Sequence, residues 1–250
     1  MALSPCINKL DISGNAISTK VADVIVKLLK GQLNLIKTDL GPDLEKEVLL
    51  LHAYVAAMDR VHRLVVIDIC LPAISRHDRK QASDFSSVVR YCIDVDGRTD
   101  LFEWLLGRMV LRRLDAISMM KTTNRETLGL RSVSTSAGIA LAAVARRGAS
   151  SDEAALAAFT AAVSHLGIDQ TMPQRSQVTF SCLGPALDEL GRATLDVKNR
   201  ILESILVACW HDERIRPGEF EMVRAVADGL GVRMPLQILD GLVQADGSGG

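Results

Sequence analysis

The sequence predicts an all-α protein of roughly ten helices in two related halves, with no significant β-sheet. Three observations carry this. Apolar residues recur at helical spacing through most of residues 20–239, and no segment shows the sustained polar-apolar alternation of a half-buried strand. One helix-turn-helix pattern also occurs twice.

Taken in order, residues 20–37 place Val21, Val24, Ile25, Leu28, Leu29, Leu35 and Ile36 on one stripe, with Lys20, Asp23, Lys27, Lys30 and Lys37 on other faces. Val24, Ile25, Leu28 and Leu29 are the candidate interaction surface. They either dock within the chain, which the aggregation hazard of a bare stripe favours, or serve a partner. Gly41-Pro42 breaks this helix, and a second runs over about 43–58, opened by Asp43, Glu45 and Glu47 where the positive helix end favours acids. The third segment, 64–71, is rich in β-branched residues, yet a lone buried strand would have no partner, so it is read as helix ending at Pro72. Further helices are expected near 85–95, 100–114, 136–146, 196–210 and 217–230. In the segment 150–153, Ser150 and Glu153 have capping-box spacing and open a helix with Leu156, Phe159, Val163 and Leu166 on one face.

The polar stretch 121–132 contains Thr122, Thr123, Asn124 and Gly129 and marks a division. It gives an N-terminal half at 1–120 and a C-terminal half at 132–245, with a disordered tail at 246–250.

Composition narrows the function. Lys plus Arg number 29 against 30 Asp plus Glu, a net charge of -1, so no broad electrostatic footprint for nucleic acid exists. The five cysteines, Cys6, Cys70, Cys92, Cys182 and Cys209, lack zinc or redox spacing and are expected as reduced core thiols in the cytoplasm. Apolar stretches such as 64–67 and 137–145 fall short of the ~18 residues a membrane span requires. Residues 1–11 show no signal peptide. The expectation is no direct membrane insertion, no nucleic acid and no cofactor.

The repeated unit pairs Asp96-Gly97-Arg98-Thr99 and Glu103 with Asp212-Glu213-Arg214-Ile215 and Glu219, seven residues from aspartate to glutamate in each. Capping explains it: Pro217 suits a first helical position, Asp100 suits a cap, and Glu103 and Glu219 fall third, within reach of free backbone donors. Gly97 supplies a left-handed end to the preceding helix. The competing reading is a divalent cation held by Asp94, Asp96 and Glu103, with Asp212 and Glu219 in the second copy. The register departs from an EF-hand, because Gly97 falls two positions early and Leu105 stands where the bidentate glutamate belongs.

These residues resemble the TerB-like domain, an all-helical fold. Longer segments look like the soluble C-terminal extension of bacterial HtpX-like membrane zinc metallopeptidases, peptidase family forty-eight. They are Leu71-Pro72-Ala73-Ile74, residues 96–104, residues 141–148 with 154–159, Arg214-Ile215-Arg216-Pro217-Gly218-Glu219, residues 224–228 and Met234-Pro235-Leu236. Their order is that of the extension and covers about residues 60–240. The resemblance implies a non-catalytic accessory domain for protein interaction or regulation, with a membrane metallopeptidase as partner or parent. The chain lacks the His-Glu-x-x-His motif that holds catalytic zinc, and Glu213 replaces the usual glycine of the second turn. The first 60 residues match the extension poorly.

A cation sensor built on the acidic turns is the alternative. An HD-type metal-dependent phosphohydrolase using His52 and His77-Asp78 is third, disfavoured because His77-Asp78 lies amid charge after Pro72. Ser134, Ser136 and Gly138 hint at a nucleophile turn but lack Gly-x-Ser-x-Gly. Arg112-Arg113 and Arg146-Arg147 are expected at helix C-termini, and Trp104 and Trp210 in the core.

Overall fold

The computed structural model describes residues 57–58, 60–94, 99–119, 126–212 and 215–234. Among them are eight α-helices, two short 3-10 turns and no strand. The chain divides into two compact units, 1–122 and 123–250.

In the first unit, α1 (Arg60–Ile74) buries Leu64, Ile67, Leu71 and Ile74, spaced by three and four residues. This periodic burial overrides the strand preference of Val65, Val66, Ile67 and Ile69. The helix does not stop at Pro72 as expected but continues through it to Ile74. Proline removes the bond to the Asp68 carbonyl, a loss confined to the last turn. There the Ser75 N–H and Oγ each donate to the Leu71 carbonyl at 3.0 Å. α2 (Arg79–Asp94) starts earlier than expected because Asp78 caps it. The Gln81 N–H donates to Asp78 Oδ1 at 2.9 Å, and the Asp78 N–H to Gln81 Oε1 at 3.0 Å. α3 (Leu101–Met119) packs against both α1 and α2. Because α3 extends to Met119, Arg112 and Arg113 lie inside it and not at its C-terminus, contrary to expectation.

The second unit is built around α4 (Leu130–Gly148), which packs against α5 (Asp152–Leu166), α6 (Phe180–Leu190), α7 (Leu195–Cys209) and α8 (Pro217–Leu230). The run 140–145 of α4 is wholly buried and four of its six residues are alanine, so neighbours approach on several sides. α5 is capped by Ser151, whose Oγ accepts the Ala154 N–H at 3.1 Å; the cap is one residue later than the Ser150 of the sequence reading. Leu156, expected on the buried face, is 51% exposed, while Ala155, Ala158, Phe159 and Ala162 fill that face.

α6 has no counterpart in the sequence reading. It passes through Pro185 and lies close to α8: a Cβ on Gly229 would come 2.8 Å from Leu187 Cβ, and one on Gly191 would come 2.7 Å from the Gly229 carbonyl oxygen. After α6 the chain crosses residues 126–128. The N–H groups of Thr127 and Leu128 donate to the Arg192 carbonyl at 3.0 and 3.1 Å, and the Thr194 N–H donates to the Leu128 carbonyl at 3.1 Å. Beside this single bridge, Lys198 of α7 is 3% exposed and its Nζ donates to Glu126 Oε1 at 2.7 Å.

Candidate functional site

Both acidic turns start helices. Glu103 lies in the first turn of α3, where its Oε2 accepts the Asp100 N–H at 3.2 Å and its own N–H donates to Asp100 Oδ1 at 2.8 Å. Glu219 lies in the first turn of α8 and accepts the Arg216 N–H at 2.9 Å. Arg216 has no side-chain acceptor with which to return the bond, so the second copy holds half of the reciprocal pair. Asp94 is the last residue of α2, while Asp96 and Gly97 lie outside the described residues. Among the described residues no group of three or more metal-ligating side chains converges.

The surroundings of the two glutamates differ. Glu103 is half-buried, whereas Glu219 is 2% exposed and wedged over Gly148 at the end of α4, where a methyl group would overlap its carboxylate. The Arg216 guanidinium donates to the Gly148 carbonyl and to Asp212 Oδ2, the latter at 2.7 Å, and stands 4.0 Å from Glu219 Oε2. Burial pushes the Glu219 carboxyl up to about 7, and Asp212 adds to the rise; the Arg216 N–H and guanidinium oppose it. Cys209 is buried nearby, its thiol raised mainly by burial and further by Glu219 and Asp212.

The other sequence candidates resolve locally. His77 is buried, its Nδ1 lies 2.7 Å from the Ile74 carbonyl, and its ring stacks on Phe85 at 5.7 Å, while Asp78 serves as the cap of α2. His52 lies outside the described residues, as do Val24, Ile25, Leu28 and Leu29. Trp104 is half-buried with the Arg108 guanidinium 5.8 Å from its ring, and Trp210 is 38% exposed, so neither is the buried anchor expected. Trp210 follows the last turn of α7.

One open cleft of about 700 Å³ lies between α4 and α6. Ser136 and Ile139 form one wall; Cys182, Pro185, Ala186 and Glu189 form the other, with Asp188 and Arg192 also lining it. The Ser136 hydroxyl, 6% exposed, donates to Glu189 Oε2. Cys182 is half-buried, with Thr179 Oγ1 3.3 Å from its sulfur, and is not the core thiol the sequence suggested. Ser136 and Glu189 are 53 residues apart, and no local motif announces their pairing. The only available signal was the periodicity of 180–190, which Gly184-Pro185 interrupts.

No family model, curated protein or solved structure matches the chain.

Proposed function

We propose that this chain is a non-catalytic helical accessory domain of TerB-like type that works by binding protein, with an HtpX-like membrane metallopeptidase as the partner class. The observation that supports an interaction role is an outward apolar stripe along α7. Leu195 is 59% exposed, Leu202 and Leu206 are half-buried on the same helical face, and Trp210 is exposed just beyond. Spacings of seven, four and four residues keep them within one side of a helix. Tryptophan is among the side chains that dominate binding at interfaces, and the leucines add apolar area that a partner would remove from water. Placement of Glu103 and Glu219 at the same helical position supports the related-halves part of the reading.

The test is titration of the purified chain into a purified HtpX-like peptidase, read by the fluorescence of Trp210 in a Trp104→Phe background and by an independent binding assay. Saturable binding with a blue shift, lost in Leu195→Asp, is the expected result. If the native chain does not bind, the metallopeptidase assignment fails. Binding that Leu195→Asp leaves unchanged would remove the α7 stripe from the reading.

A further inference from the structure

The cleft between α4 and α6 is not used by the interaction reading, and its chemistry is one-sided. We propose that it binds a small organic cation with an apolar body, the ammonium group held by the Glu189 carboxylate. About 700 Å³ falls within the ~300–1,000 Å³ of small-molecule sites. Ile139, Pro185 and Ala186 give it apolar walls.

The Ser136–Glu189 pair presents acceptors. Ser136 has a single hydroxyl proton and gives it to Glu189 Oε2, so it offers a ligand no donor; Glu189 Oε1 has no hydrogen-bond partner among the described residues. Asp188 and Arg192, both exposed, also line the cleft and contribute one charge of each sign. Glu189, half-buried, is the charge left to select a ligand. An anion would meet its carboxylate in a partly desolvated setting, whereas an ammonium finds a charge-assisted acceptor beside an apolar surface.

Cys182 lines the same cleft and reports its occupancy. Cys70 and Cys209 are buried with raised pKa values, so iodoacetamide modification at Cys182 can be followed by peptide mapping on the folded full chain. Phenethylamine is the probe and phenylacetate, of similar shape and opposite charge, the control. The expected result is a saturable, several-fold slowing of Cys182 modification by millimolar phenethylamine, not reproduced by phenylacetate. Glu189→Gln, checked for native circular dichroism, should abolish the protection, and Ile139→Lys, which places an ammonium in the cleft, should block it. No slowing in the native protein, equal slowing by phenylacetate, or protection that survives in a folded Glu189→Gln protein would overturn the proposal. The native comparison needs no variant, so the proposal stays testable if Glu189→Gln fails to fold.

Discussion

Replacing Glu219 by glutamine should change how stability depends on pH. Folding takes this carboxyl from an ordinary value of 4.5 to about 7, chiefly by burial. The folded state therefore binds the proton more tightly than the unfolded chain does. Stability linked to this group is fully present below the unfolded value and lost as pH rises toward about 7, after which the loss is complete. At about 1.36 kcal/mol per pH unit, the interval corresponds to roughly 3 kcal/mol. Glutamine keeps the oxygen that accepts the Arg216 N–H but does not titrate. Urea unfolding of both proteins, followed by circular dichroism from about pH 4 to about pH 8, isolates the effect, because every other carboxylate is common to both. The native protein should lose about 3 kcal/mol relative to Glu219→Gln across that range. Parallel stability curves would refute the argument, since they would mean that Glu219 ionises in the fold as easily as in water.

Gly148→Ala should destabilise by roughly 1–3 kcal/mol through overlap with the Glu219 carboxylate, and a Glu219→Ala second change should recover part of the loss, a non-additivity measured by a double-mutant cycle. Ser151→Ala, which removes the oxygen that accepts the Ala154 N–H, should cost about 1 kcal/mol in urea unfolding. Among the described cysteines, iodoacetamide should label Cys182 in the folded chain and spare Cys70, whose thiol burial pushes up to about 12, with all labelled after unfolding. Millimolar calcium or magnesium should leave the melting temperature unchanged; a rise abolished by Asp96→Asn with Glu103→Gln would favour the cation-sensing reading.

Helices whose apolar residues recur at spacings of three and four were legible in the sequence, and Pro217–Leu230 was legible to the residue because proline marks one end and Gly231 the other. α6 was not, because Gly184-Pro185 in its interior carries the signature of a loop. Its four buried residues, Leu183, Ala186, Leu187 and Leu190, hold it against α4 and α8 in spite of that local signal. The cleft was lost with the helix, since a wall that is not recognised cannot suggest a site. Glu103 and Glu219 were placed correctly in first turns, but their different burial depends on which helix end lies opposite, and only Glu219 meets Gly148. The exposure of Leu156 was illegible for a related reason: α5 is apolar or small around most of its circumference, so composition does not say which side faces inward.

The pairing of Lys198 with Glu126 fixes where the second unit can be cut. By helix boundaries alone, a fragment could start at Leu130, yet it would strand an ammonium that is 3% exposed and discard the two N–H groups bonded to the Arg192 carbonyl. A charge left buried without its counterion costs far more than the few residues of extended chain that carry one. Any shortened version of this unit therefore has to begin ahead of Glu126, so that the strap crossing the α6–α7 turn travels with the helices it secures.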